Sequence, residues 1–228
     1  MTDDRKSGIA FLVGSLGGIV TMAIHPTGGG VMTPAQAEAL ALASEIAHTL
    51  AMVSFLIMFL GAVGLTRRLA RIDSPAAPDR LAIAAIVVYA FAAMALLIAT
   101  AVSGFIVPDL IRHMMRDASA NGPQWRMMID AVFAFNQAFA RIYSVAASLA
   151  ILLWSASVLR NGGLNRAIAI YGCLAATVLT ILIAVGHLRL NVHGMAVVVF
   201  AQAVWFVLAG VEMLRKPQPV EQQVMRAQ

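Results

Sequence analysis

Six apolar runs divide this chain of 228 residues, and they constrain its fold more than any other feature. Each is about 18–24 residues long, enough for a helix to cross a hydrocarbon core of roughly 30 Å. Alternating ten-residue strands are missing, which excludes an outer-membrane barrel. Apolar residues make up 61% of the chain and charged ones 12%. A soluble domain of this length has no interior able to hide so much apolar surface. The expected fold is an all-α integral membrane protein, a six-helix antiparallel bundle over residues 1–216. Residues 217–228, with Pro217 and Pro219, read as a polar cytoplasmic tail.

The net charge is +5, yet the basic residues stand at the ends of apolar runs rather than on a soluble face. That pattern sets orientation in a bilayer and gives no reason to expect a nucleic-acid partner. With the N-terminus inside, Arg5, Lys6, Arg67, Arg68, Arg71, Arg80, Arg160, Arg166, Arg215, Lys216 and Arg226 face the cytoplasm. Arg112, Arg116, Arg126, Arg141 and Arg189 face the other side. The excess predicts N-in and C-in, as in a bacterial inner membrane. Gly14-x-x-x-Gly18 reads as a helix-packing face, favouring a retained first span over a signal peptide cut after Ala35-x-Ala37. The lone Cys173 excludes an internal disulfide.

Segment boundaries follow from local signals. The first run spans Ser7 to His25. Thr33-Pro34-Ala35-Gln36 combines an N-cap, a proline at the first helical position and a capping-box glutamine, so the second helix starts there. It runs to Thr66, about 33 residues and roughly 50 Å, longer than a bilayer is thick. The third is apolar from Arg80 to Ser103, with helical character continuing past Pro108, where a bend is expected. The fourth runs from Trp125 to Arg160, again long, and with the second is expected to form a small outer cap. The fifth covers Ala167 to Gly186 and the sixth Gly194 to Leu214.

Counting about 20 residues up from each basic anchor brings four histidines to one depth. These are His25, His48, His187 and His193, all near the outer boundary. His113 lies about a dozen residues beyond it, roughly 18 Å along a straight helix. Glu38, Glu45, His48 and Met52 share one face of the second helix. Asp130, Gln137, Arg141, Ser144 and Ser148 share one face of the fourth, and Glu45 and Arg141 reach similar depth, so the two are expected to pair. Polar stripes at helical period face protein rather than lipid. No ionisable chain crosses the midplane, which argues against a proton pump.

Imidazole is the commonest metal ligand, so a shared layer of histidines predicts a metal or haem site used for redox or metal-handling work. His48 and His187 lead as ligands, followed by His25 and His193. Haem b would pair its propionates with Arg141 or Arg189. Zinc or iron would add Glu45, three residues before His48. Copper would draw on neighbouring thioethers, among them Met22, Met32, Met52, Met114, Met115 and Met195. The alternative is a non-enzymatic membrane protein, an assembly partner, homo-oligomer or small-molecule carrier, in which the histidines are structural. No residue is assigned a catalytic role. Gly28-Gly29-Gly30 lacks the Lys-Ser/Thr of a phosphate loop. Ser44-x-x-x-His48 resembles the opening motif of membrane hydrolases that include alkaline ceramidases. Their His-x-x-x-His has no counterpart, since His187 and His193 lie six apart across a turn.

Overall fold

The computed structural model describes residues 3–26, 33–70, 79–117 and 122–215. The expectations about the Gly28–Gly30 loop, Met32 and the tail 217–228 lie outside those residues. Among the described residues regular structure is helical throughout: α1 (Asp3–Ile24), α2 (Pro34–Ala70), α3 (Arg80–Ala101), α4 (Val107–Arg116), α5 (Gly122–Asn161), α6 (Arg166–Ala184) and α7 (Val192–Arg215). A π-helical turn, Val102–Ile106, joins α3 to α4. The two run on as one stretch, so among the described residues six helices are long and apolar enough to cross a membrane.

Local chemistry explains the ends. The capping box forms as expected: Thr33 N–H donates to Gln36 Oε1 at 2.9 Å, and Gln36 N–H to Thr33 Oγ1 at 3.3 Å. Asp79 and Asn165 cap α3 and α6 in the same way, accepting from Leu81 N–H and Ala167 N–H at 2.9 Å each. At Pro108 the ring would crowd the carbonyl four residues earlier and has no N–H to offer. The chain answers with the π turn just before it, one wide turn inside a continuous helix.

The helices pack as a closed ring. α1 lies against α2 and α7, α6 against α7 and α5, and α3 joins α5 back to α2. Small residues set the closest approaches, as expected where lipid provides no hydrophobic drive between helices. Ala82, Ala85 and Ala92 of α3 and Ala147 and Ala150 of α5 are wholly buried. Large side chains such as Leu16, Leu60, Phe91, Leu174 and Phe200 point outward, as a lipid-facing surface requires.

The expected glycine face of α1 is shifted by one residue. A Cβ on Gly14 would stand 2.6 Å from the Ser54 carbonyl of α2, and Gly17 also abuts Ser54. Gly18 turns away, with only Val199 Cγ1 near, at 3.9 Å.

Aromatic rings fill the ring's centre. Tyr89 contacts Phe55, Trp154 and Phe206, with ring centroids 5.3–5.6 Å apart, and Phe11 meets Phe206 at 5.1 Å. Two buried polar knots close the end that carries the N-terminus. In one, Arg68 donates to Asp4 at 3.0 Å and to the Gly163 carbonyl at 2.9 Å. In the other, Asp79 accepts from Ser157 and, at 3.0 Å, from Asn161.

Candidate functional site

The opposite end of the bundle is hollow. A cavity of about 250 Å³ lies among α1, α2, the α3–π stretch, α5 and the start of α7. Along α1 it reaches from His25 down to Gly14, about 16 Å at 1.5 Å per residue. Its polar residues gather toward the upper end, where His25, His48, Ser103, Asn136, Gln137 and Asn191 line it. The lower wall is apolar: Phe55, Met58, Leu96 and the ring of Tyr143. Phe55 and Tyr143 meet edge to face at 5.7 Å, and Phe55 packs on Tyr89. The cavity therefore ends on the aromatic centre.

His48 is the best-defined polar group in it. The ring is buried, 6% exposed, and Nδ1 lies 2.8 Å from the carbonyl oxygen of Ser44, one turn earlier. A carbonyl only accepts, so Nδ1 carries the hydrogen and Nε2 is left as a lone-pair acceptor. The π turn braces this arrangement. Ser44 Oγ donates to the Ser103 carbonyl at 3.2 Å, and Gly104 packs against His48 so closely that a Cβ there would be 2.9 Å from Cγ. His25 stands beside it, with ring centroids 5.0 Å apart and edge to face. Its Nδ1 is 3.2 Å from the Pro26 carbonyl, the same tautomer at longer range.

Three of the deeper polar side chains have spent their hydrogens on the protein. Thr21 Oγ1 donates to Gly17 O at 2.9 Å and Thr100 Oγ1 to Leu96 O at 2.8 Å. Tyr143 donates to Gln202 Oε1 at 3.0 Å, and Gln202 is held in turn by Ser148 at 3.2 Å. Asn136, 8% exposed, differs: its Oδ1 is buried without a hydrogen-bond partner. An unmatched buried amide oxygen costs about 1–3 kcal/mol and marks a position that a ligand or water would satisfy.

The structure revises the predicted layer. It brings His25 and His48 together, whereas His187 and His193 are exposed at the α6–α7 turn and do not line the cavity. Shared depth did not become convergence, because those two rings point away from the bundle. Glu45 is turned to α4, where Arg112 binds both it and, at 3.1 Å, Glu38. The expected Glu45–Arg141 pair is therefore replaced by Glu45–Arg112. Arg141 and Arg189 are exposed, away from the cavity. His113 also stays outside it, stacked on Trp125 of α5 at 6.4 Å. Among the described residues no three His, Cys, Asp or Glu gather closely enough to hold a metal ion.

Sequence reasoning missed Asn136 and the π turn. The adjacent amides Asn136-Gln137 in an otherwise apolar stretch were a usable signal, because polar side chains within a span face protein or a cavity rather than lipid. Of the predicted stripe on α5, Gln137 lines the cavity and Ser144 and Ser148 are buried, but Asp130 and Arg141 are exposed. No family model matches the chain, and neither curated proteins nor solved structures give a match.

Proposed function

We propose that this chain is a membrane-embedded binding protein or carrier for a small amphipathic molecule. The observation that carries this reading is the cavity itself, polar at its histidine end and apolar toward a closed floor. At about 250 Å³ it exceeds the roughly 150 Å³ that admits benzene in an engineered core. Apolar walls with a few convergent polar groups are the usual build of a small-molecule site. The floor of packed aromatic rings favours binding over conduction. By the distribution of Lys and Arg, both termini face the cytoplasm of a bacterial inner membrane and the histidine end faces outward.

Gly18 provides the test. It lines the cavity, and a Cβ there meets only Val199 Cγ1, at 3.9 Å. Gly18→Leu therefore fills the space, and replacing a mid-helix glycine removes a helix penalty of about 0.5–1 kcal/mol. Propylbenzene titrated into nanodisc-embedded protein is expected to bind at one saturable site per chain. In Gly18→Leu that binding should weaken at least tenfold, with thermal stability held or raised. Equal, non-saturable uptake by both proteins would refute the reading.

A second reading rests on the histidine pair. Both rings direct Nδ1 to a backbone carbonyl, the support that metal-binding imidazoles commonly receive. Two imidazoles on one tetrahedral ion, each nitrogen about 2 Å from it, have ring centres about 5 Å apart. The observed 5.0 Å fits that arrangement. On opposite faces of a haem iron the separation is about 6 Å, so this pair as it stands does not match a bis-histidine haem. With Met22 and Met195 also lining the cavity, the ion of choice is Cu(I). Stoichiometric copper in protein from copper-replete cells, lost in His48→Ala, supports this second reading. Metal-free protein leaves the small-molecule reading alone.

A further inference from the structure

We infer that the molecule taken into the cavity carries a hydroxyl group on an apolar body, as a phenol or an alcohol does. The inference rests on the proposed small-molecule reading and specifies its ligand. Hydrogen-bond polarity decides the class. His48 gives its Nδ1 hydrogen to Ser44 O, and His25 places Nδ1 against Pro26 O. Thr21, Thr100 and Tyr143 also donate to protein oxygens. What these five groups leave for a guest is acceptor lone pairs. A ligand with only acceptors, such as an ether, ester or ketone, would face them without a hydrogen to offer.

The amides refine the choice. Asn136 presents an unpartnered Oδ1, and Asn191 Oδ1 is occupied by Gly194 N–H at 3.0 Å, which leaves the Asn191 amide hydrogens. The cavity thus offers these acceptors together with donors in the Asn136, Gln137 and Asn191 amides and the Ser54 and Ser103 hydroxyls. A hydroxyl both gives and accepts, so it matches the set, and it does so in either orientation of the Asn136 amide. A charged head fits less well: Arg141, Arg189 and Glu45 all lie outside the lining. Polarity along the cavity orients the guest, with the hydroxyl at the level of His48 and Asn136 and the apolar body toward Met58 and Leu96.

A matched pair of probes tests this in nanodisc-embedded protein: 4-propylphenol and 4-propylanisole, which differ by one methyl on oxygen. The phenol should bind the wild-type chain at least tenfold more tightly. With ring-15N histidine, the unprotonated Nε2 resonance of His48 should shift on adding the phenol and stay in place with the anisole. His48→Leu and Asn136→Leu should each reduce the preference below threefold. Should His48→Leu fail to fold, Asn136→Leu and the wild-type shift decide. Equal binding of phenol and anisole would overturn the hydroxyl inference while leaving the cavity reading intact. Saturable binding of neither probe, nor of propylbenzene, would remove both.

Discussion

Arg68→Met is expected to destabilise the bundle by about 3–5 kcal/mol, because it leaves Asp4 as a carboxylate stripped of its buried cation. The pair sits in a dry place, with Arg68 2% and Asp4 6% exposed, 3.0 Å apart and linking α1 to α2. The guanidinium also reaches Gly163 O at 2.9 Å, which ties the α5–α6 turn to the same knot. Burying two charges is costly, so the pair as a whole contributes little, whereas removing one charge of the pair causes a large loss. The double variant Asp4→Leu with Arg68→Met should consequently recover most of the lost stability. Detergent-micelle unfolding by SDS titration, run as a double-mutant cycle, measures the coupling. Additive losses would mean that the two charges do not depend on each other.

Asp79→Ala is the second large effect, again about 3–5 kcal/mol. Asp79 is 1% exposed and does three jobs at once. It caps α3 through Leu81 N–H, and its other oxygen accepts from Ser157 and Asn161 of α5. A lost N-cap is worth about 1 kcal/mol and two hydrogen bonds to a charged acceptor about 3–6 kcal/mol together, offset in part by the cost of burying a carboxylate that alanine no longer incurs. Alanine also removes the acceptor of the buried Ser157 hydroxyl. Asp79→Asn keeps a side-chain oxygen for the cap and should lose roughly half as much. The same SDS titration separates the two variants, and equal losses from both would show that the cap contributes little and the bonds to α5 dominate.

Depth was legible in the sequence, and direction was not. A helix advances 1.5 Å per residue, so counting from a basic anchor places a side chain along the membrane normal without knowledge of its neighbours. That arithmetic put His25 and His48 at one level, and the structure has their rings in contact. It could not say which way a ring points around the helix axis. His187 and His193 share the level by count yet face outward, because α6 and α7 meet through other faces. The same limit explains Glu45. Its partner depended on how the α3–α4 stretch crosses α2, and the π turn before Pro108 lays Arg112 beside both Glu38 and Glu45. Capping signals were read correctly at Thr33–Gln36 because they are local. The knots at Asp4 and Asp79 were not, since each joins residues more than 60 positions apart.

A guest-sized cavity inside the histidine end is the claim on which the functional reading depends, and xenon reports it most directly. An apolar cavity of about 150 Å³ takes up the gas, and the apolar lower part of this one should do the same. Crystals of the protein pressurised with xenon should show an ordered atom among Met58, Leu96 and Val199, and the Gly18→Leu protein should show none there. Xenon confined to the lipid-facing surface of both proteins would contradict the cavity and, with it, the proposed binding function.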